Sequence, residues 1–275
     1  MTTRKIAAFA RTPKAQLLVI FAILLAIAAP AAGGTSLATN LLAAIVPACV
    51  IDAVWTSISA RRFRFPTSAL LSALIVFFIL SSRESWLVVA WTSSFAIISK
   101  RVLRTEREHI FNPAALALIW APTAFGSGES WWGALGDMSP AWIPVLLVSG
   151  VFLADRLNKF PLVLTFLAGY FGFFTVASVA DPHGAAEMFR APFVQAALFM
   201  SFFMLTDPPT SPSRYLDQVW FGLLAALSTG VAQLLGAGQV YLLLGLVVPN
   251  AVLSLVRAIR RRQGDPFLVS ARAAF

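Results

Sequence analysis

The chain contains ten apolar runs that are long enough, or nearly long enough, to cross a lipid bilayer as helices. The hydrocarbon core of a bilayer is about 30 Å thick and takes about 20 helical residues to cross. The runs cover residues 15–32, 40–58, 67–82, 85–99, 111–125, 141–155, 160–180, 191–206, 218–236 and 239–257. They predict a single polytopic membrane domain over residues 1–275, with a tail and first helix in 1–39, a helical bundle in 40–262 and a tail in 263–275.

The composition points to the same class. Hydrophobic residues make up 59% of the chain and charged residues 12%, whereas soluble domains carry about 25% charged residues. The mean hydropathy is +0.80. The predicted fold class is therefore an all-α integral membrane protein, with about ten transmembrane helices in two related halves and broken or short helices near the midplane.

The positive charges predict the orientation. If the N-terminus is cytoplasmic, the cytoplasmic segments hold all but two of the 21 Lys and Arg residues, the exceptions being Arg83 and Arg190. This asymmetry is typical of multi-pass proteins, whose short cytoplasmic loops are rich in Lys and Arg. We therefore interpret the net charge of +9 as a sign of topology rather than of nucleic-acid binding, and expect both termini in the cytoplasm.

Three runs, 85–99, 111–125 and 141–155, are short for a full crossing. Short or proline-interrupted spans are typical of broken helices around a midplane site, although tilted neighbours or locally thinned lipid would also explain them. Asp52 followed by Phe65-Pro66 resembles Asp155 followed by Phe160-Pro161. This similarity predicts that spans two and three repeat as spans six and seven.

The longest predicted outer loop, 126–140, contains Trp131 and Trp132. Tryptophan prefers the headgroup layer of a membrane. We therefore expect this loop to lie along the outer surface.

A polar interruption separates spans four and five. It contains the cations Lys100 and Arg104, then His109, and then Asn112-Pro113. Asn is a good helix cap and Pro is favoured at the first helical position, so a helix should begin at Pro113. Cations beside a helix start can contact a phosphate, such as that of a flavin. The cluster could equally anchor a cytoplasmic loop.

A second interruption, Thr206-Asp207-Pro208, ends span eight. Proline restricts the preceding residue to extended geometry and cannot continue a helix. Both interruptions fall on the predicted cytoplasmic side, so Thr206 and Asp207 could meet His109 and Asn112 in one pocket. Ordinary helix capping at each terminus is the alternative.

Two acids at span ends, Asp52 and Asp155, are candidates for an ion or proton pathway. Asp52 lies deep in an apolar run, where a charge costs about 2.5 to 3.5 kcal/mol on insertion scales. A structural or topological role, with Arg61 or Arg62 in reach, is the alternative.

The chain lacks the residues of several common sites. It has one cysteine, Cys49, and two histidines, so we expect no metal cluster. It contains no P-loop, no GxGxxG and no nucleophile–histidine–acid pattern. An autonomous enzyme is not expected.

Three blocks resemble the NqrB/RnfD family, the membrane flavin subunits of the sodium-pumping NADH:quinone reductase and of the Rnf ferredoxin:NAD oxidoreductase. They are Ser99-Lys100 with His109 to Ala115, then Phe203 to Pro208, and Val248-Pro249-Asn250-Ala251 in the closing span. The resemblance covers roughly residues 40 to 262. It implies a ten-helix bundle of two related halves in a bacterial-type inner membrane, with other electron-transport subunits or a flavoprotein as partners.

One motif departs from the family. Members that bind flavin covalently carry Ser-Gly-Ala-Thr, with FMN esterified to the threonine, in the loop after the Asn-Pro helix. The corresponding loop here reads Gly136-Asp137-Met138-Ser139-Pro140. We therefore expect FMN or riboflavin to be bound noncovalently, or a quinone in its place. The expected cofactor contacts are Lys100, Arg104, His109, Asn112, Pro113, Thr206, Asp207 and Pro208.

Two other functions fit the same residues. A transporter or channel for ions or small solutes would use the paired helix breaks as a permeation path. A membrane scaffold without a cofactor would serve as the platform for a partner flavoprotein. Asn112-Pro113-Ala114 also matches the aquaporin tripeptide, but aquaporins use two such tripeptides on six helices.

Overall fold

The computed structural model describes residues 9–32, 36–60, 65–105 and 109–262. Within these ranges the chain is helical and forms no named strand; two isolated β-bridges join Leu80 to Glu129 and Arg104 to His109. The expected all-α membrane class is confirmed. The cations Arg61, Arg62, Arg64 and Arg107 and the tails 1–8 and 263–275 lie outside the described residues.

Eleven helices are formed by the described residues. They are α1 (Pro13–Ala28), α2 (Leu37–Ala60), α3 (Thr67–Ile79), α4 (Trp86–Val102), α5 (Pro113–Phe125), α6 (Ile143–Leu157), α7 (Phe160–Ala177), the short α8 (Pro182–Glu187), α9 (Ala191–Phe199), α10 (Tyr215–Leu234) and α11 (Tyr241–Arg262). A π-turn over Met200–Met204 extends α9. Each of the ten apolar runs overlaps one of the ten longer helices, because backbone groups in lipid must find partners within the same segment.

Four of these segments are long and apolar enough to cross a membrane: Leu37–Ser59, Pro140–Leu157, Phe160–Ala177 and Gly238–Arg260. The helices α3 and α5 have 13 residues each. At 1.5 Å per residue they are about 20 Å long, which is too short to cross the core. Of the three runs that appear short in the sequence, only 111–125 forms such a helix. The run 85–99 extends to 17 residues in α4, and a 3₁₀ turn lengthens α6 to an 18-residue segment.

The helices pack in two groups of five long helices. In the first group α4 packs against α2 and α5, and in the second α10 packs against α7 and α11. Across the groups, α1 contacts α6 and α5 contacts α11. The packing therefore repeats with an offset of five helices, so that α2 corresponds to α7.

This offset corrects the sequence-based pairing of spans two and three with six and seven. That similarity comes from proline at a helix junction, which recurs wherever a helix restarts. A better match is Phe77-Phe78-Ile79-Leu80 at the end of α3 with Phe202-Phe203-Met204-Leu205 at the end of α9. An offset of an odd number of spans gives the two halves opposite orientations in the membrane.

Aromatic side chains fill the centre between the two groups. The ring of Phe21 lies 5.4 Å from Phe78 and 5.6 Å from Phe203, centroid to centroid. Glycines allow close helix contact at the edges of this core. A Cβ atom on Gly245 would lie 1.8 Å from the Thr229 hydroxyl oxygen, so α10 and α11 can approach only because Gly245 has no side chain.

The tryptophan loop does not lie along the surface. Trp131 and Trp132 are 6% and 2% exposed, and the indole N–H of Trp132 donates to the Phe77 carbonyl oxygen at 2.8 Å. The loop folds inward because α3 is too short to fill its end of the bundle. The expectation of a headgroup-layer loop was wrong.

Candidate functional site

The two ends of the bundle differ in the sign of their charged residues. We call the end that carries Lys100, Lys159 and Arg257 the basic face. The opposite end, which carries Glu84, Glu129 and Glu187, is the acidic face.

A cavity of about 460 Å³ opens near the basic face. Its walls come from the starts of α1 and α3, the ends of α4, α6 and α9, and the residues just before α5. The structure brings most of the sequence-predicted residues together here. The lining includes Lys100, His109, Asn112, Pro113, Thr206, Asp207 and Pro208.

Asn112 joins the two interruptions. Its side-chain oxygen accepts the Ala115 N–H at 3.1 Å and so caps α5, as predicted from the Asn-Pro pair. Its side-chain amide donates to the Met204 carbonyl oxygen at the end of α9, at 3.4 Å. The start of α5 and the end of α9 are therefore held against each other.

Asn250 completes the junction from α11. Its side-chain oxygen accepts the backbone N–H of Asn112 at 2.9 Å, and its amide donates to the Thr210 carbonyl oxygen at 3.0 Å. Asn250 is 1% exposed, so both bonds are shielded from water. The three sequence blocks that carry the family resemblance thus meet at Asn112, which contacts Met204 in the second block and Asn250 in the third.

Lys100 provides a buried positive charge at the cavity. It is 7% exposed, and its ammonium group donates to the Ser68 hydroxyl at 2.7 Å. Ser68 at the start of α3 was not identified from the sequence, because a serine in an apolar run gives no signal of its partner.

His109 lies against the same lysine. Its Nδ1 is 3.1 Å from the Lys100 carbonyl oxygen, which can only accept, so Nδ1 carries the proton. Burial, together with the positive charge of Lys100, lowers the pKa of His109 to about 4. The ring is therefore neutral at pH 7, with its acceptor lone pair at Nε2.

Asp207 forms part of the facing wall. One carboxylate oxygen accepts from the Thr210 hydroxyl at 3.2 Å, and its carbonyl oxygen accepts from the Ser211 hydroxyl at 2.8 Å. Burial raises the pKa of Asp207, while Lys100 and the Thr210 hydroxyl oppose the shift. Thr206 is 1% exposed and donates to the Phe202 carbonyl oxygen at 2.6 Å, which stabilises the π-turn.

Lys159 is a second buried cation of this face, and it was not identified from the sequence. Its ammonium group donates to the Pro212 carbonyl oxygen, and burial lowers its pKa to about 8. Arg257 donates to the carbonyl oxygens of Pro209 and Ser211. These contacts hold the loop after α9 in place around Asp207.

The remaining predicted residues lie outside the cavity wall. Arg104 is exposed and forms a β-bridge with His109. Asp52 is 6% exposed and forms an ion pair with Arg101 on α4, a partner different from the Arg61 or Arg62 considered from the sequence. Asp155 is exposed near the end of α6.

The cavity is suited to a mainly apolar ligand with a polar end. Leu17, Leu71, Ile75, Leu153 and Phe203 form apolar walls, while Lys14, Lys100 and Asp207 provide charge. A volume of about 460 Å³ is within the usual range for small-molecule sites, about 300 to 1,000 Å³. These residues fit a noncovalent flavin or quinone. Among the described residues, no group of three or more His, Cys, Asp or Glu side chains could hold a metal ion.

The chain was compared with known proteins. No curated protein matches it. The model of the NQR2, RnfD, RnfE family matches residues 126–263, about half of the chain. This match contains the second and third resemblance blocks, and the first block reaches them through the contacts of Asn112 with Met204 and Asn250. The chain therefore belongs to the NQR2, RnfD, RnfE family.

Proposed function

We propose that the chain is the membrane subunit of an Rnf/Nqr-type electron-transport complex and holds a flavin or a quinone noncovalently in the cavity of the basic face. The observation that carries this proposal is the meeting of the three family blocks at Asn112, Asn250 and the loop after Asp207, beside the cavity. The complex would lie in a bacterial-type inner membrane, with other electron-transport subunits or a flavoprotein as partners.

The chain's own residues would bind and orient the ligand. The apolar walls would cover a flat ring, and Phe203 would add an aromatic contact. Lys100 and the N-terminus of α5 place positive charge at the polar end, where a phosphate or a reduced ring gains most from it. The bound group would supply reversible electron transfer.

Asp207 and His109 would exchange or accept protons at this site. Asp207 has a raised pKa, so it can exchange a proton closer to neutral pH than an exposed aspartate. His109 is neutral and offers an acceptor at Nε2. Both groups line the cavity and could hydrogen-bond to a ring nitrogen or a carbonyl oxygen of the ligand.

Noncovalent binding agrees with the position of the loop Gly136-Asp137-Met138-Ser139-Pro140. This loop follows α5 on the acidic face, at the opposite end of the bundle from the cavity. It contains no threonine that could be esterified.

The test is cofactor analysis of detergent-purified protein. The absorbance spectrum would be recorded before and after denaturation, and the extract analysed for FMN, riboflavin and quinone. Release of any of them on denaturation would support the proposal. A colourless protein whose extract also lacks quinone would contradict it.

A pair of variants locates the site. Asp207→Ala should lower cofactor retention about tenfold, equivalent to about 1.4 kcal/mol, because it removes a carboxyl group from the polar end of the cavity. Asp217→Ala is the matched control: Asp217 begins α10, pairs with Arg260 and lies outside the cavity wall. Equal loss of cofactor in the two variants would place the ligand elsewhere.

A transporter remains the second candidate, and the short helices favour it. Both α3 and α5 are too short to cross the membrane, and both have one end at the cavity, as in transporters with broken helices. Solute or ion flux into liposomes that contain the purified chain and no redox partner would favour transport over electron transfer.

A further inference from the structure

The segment just after α5 folds back into the acidic face beside the end of α3. Ser81 donates its N–H to the Gly128 carbonyl oxygen at 2.9 Å, and Ser130 and Trp131 donate theirs to the Ile79 carbonyl oxygen at 2.9 and 3.1 Å. Leu80 and Glu129 form an isolated bridge. The segment is therefore held in an extended conformation by the backbone of α3.

Side chains along an extended segment alternate between two sides. Ser127 and Glu129 are buried, whereas Gly128 between them is exposed. Trp131, where the backbone turns into a left-handed conformation, is buried as well. The pattern places the Glu129 carboxyl group on the protein side of the segment. Gly128, the residue before Glu129, marks the exposed side of the same segment.

The Glu129 carboxyl group is buried without a partner. The residue is 3% exposed, and neither carboxylate oxygen accepts a hydrogen bond from any described residue. The Ser127 hydroxyl and the Trp131 indole N–H of the same segment are also buried and unpaired within the described chain. Two other acids do have partners: Asp52 pairs with Arg101, and Glu84 accepts a hydrogen bond from the Gly128 N–H.

Other charged groups of this face do not compensate Glu129. Arg83 is exposed, Glu84 is partly exposed, and Asp137 is exposed beyond the buried turn. Glu187 and Arg190 pair with each other at 2.9 Å, with side chains 43% and 69% exposed. Among the other elements of this face, α9 contributes Gln195, which is neutral, and the end of α3 contributes only apolar residues.

An isolated carboxylate in such surroundings is costly, so the neutral acid is favoured. Burial raises the pKa of Glu129 well above its ordinary value, and the nearby indole of Trp131 opposes the shift only in part. The Trp131 indole N–H is a donor that can stabilise the carboxylate when the proton leaves.

We propose that the Glu129 carboxyl group is a proton-binding site of the acidic face, separate from the cavity of the basic face. It holds a proton at neutral pH and exchanges it with the solvent beside Gly128. On release the O–H bond breaks, the proton passes to water and a carboxylate remains. Uptake is the reverse. The site requires no bound cofactor, so it stands or falls independently of the electron-transfer proposal.

Infrared spectroscopy of the detergent-purified protein tests this directly, because a protonated carboxyl group has its own C=O stretch. The wild type should show this band at neutral pH, and Glu129→Gln should lack it. The band should disappear on titration with a midpoint well above 4.5, the ordinary value for glutamate. Asp137→Asn is the matched control: it removes an exposed carboxyl group of the same loop and should leave the band unchanged.

Three outcomes would overturn the proposal. They are identical spectra of wild type and Glu129→Gln, a band that titrates near the ordinary value, and a band that sodium chloride removes but N-methylglucamine chloride does not. The last would make Glu129 a cation site.

A second readout guards against misfolding. An acid whose pKa is raised on folding makes the protein less stable as the pH rises from the pKa of the unfolded state toward that of the folded state. Glu129→Gln should abolish this loss of stability, which thermal unfolding measures.

Discussion

At the scale of single residues, the cavity depends on a few buried polar groups whose charge is set by burial. Lys100 stays close to Ser68 and to the acid Asp207, while His109 is neutral beside it. An aspartate and a lysine in one apolar cavity can each change charge in response to a ligand, which exposed residues such as Arg104 do not need to do. This contrast favours Asp207 and His109 over Arg104 as ligand contacts.

The neutral state of His109 makes stability depend on pH. Because its pKa is lowered from 6.5 to about 4, the unfolded state binds more protons between these values. The contribution of His109 to stability is therefore fully present above pH 6.5 and is lost as the pH falls toward 4. After allowance for partial exposure, we expect a loss of about 1 kcal/mol at pH 5.

Thermal unfolding in detergent at pH 7 and pH 5 measures this effect. His109→Asn keeps a donor near Nδ1 but cannot titrate, so it should show a smaller pH difference than the wild type. His183→Asn, in the exposed short helix α8 on the acidic face, should behave like the wild type. An unchanged pH difference in His109→Asn would show that other groups cause it.

At the scale of elements, the cavity exists because helices stop early. The Asn-Pro pair starts α5 and the Asp-Pro pair ends the segment after α9, and both features follow from local backbone chemistry. Asn112 links the two ends directly, and Asn250, which lies inside α11, adds a second link through Asn112 and Thr210. An asparagine in the middle of a helix gives no sequence signal of this role, which is why sequence analysis attached no function to it.

Replacing Asn250 should therefore affect both stability and ligand binding. Asn250→Ala leaves the Asn112 N–H and the Thr210 carbonyl oxygen without partners in a buried position, which should cost about 2 to 4 kcal/mol. The ends of α5 and α9 should separate and the cofactor should be lost. Unfolding midpoints and cofactor content of the purified variant would measure both effects.

Asn40→Ala is the control for general destabilisation. Asn40 is 2% exposed and donates to the Glu84 carbonyl oxygen on the acidic face, far in the chain from every cavity residue on α4 to α9. This variant should lower stability but retain the cofactor. If it loses cofactor as readily as Asn250→Ala, the effect of Asn250 is not specific to the cavity.

At the scale of the whole molecule, the two inverted halves create two distinct ends. The basic face contains the cavity, and the acidic face contains the infolded loop with Glu129. A chain with one polar site at each end is suited to coupling events on the two sides of a membrane. Each half contributes a short helix, α3 or α9, whose missing length leaves room for one of these sites.

The orientation of the faces is itself testable. The distribution of Lys and Arg predicts that the basic face and the C-terminus are cytoplasmic. A C-terminal green fluorescent protein should therefore fluoresce, and a C-terminal alkaline phosphatase should be inactive, in a bacterial host. The opposite pattern would place the cavity on the outer side.

Much of the fold was predictable because it depends on local chemistry. A backbone in lipid must form its hydrogen bonds within its own segment, so the apolar runs by themselves determined the class, the positions of ten helices and the two polar interruptions. The candidate residues Lys100, His109, Asn112, Thr206 and Asp207 were identified for the same reason, as polar groups that break apolar runs.

Tertiary structure alone decided which of these groups meet and which turn inward. Asn112 and Asn250 are 138 positions apart, and their contact follows from the packing of α5 on α11. Packing of the loop against α3 and α9 buried Trp131, Trp132 and Glu129, although the sequence predicted an exposed loop. Side-chain partners across helices depend on how surfaces fit together in space, and local hydropathy carries no information about that fit.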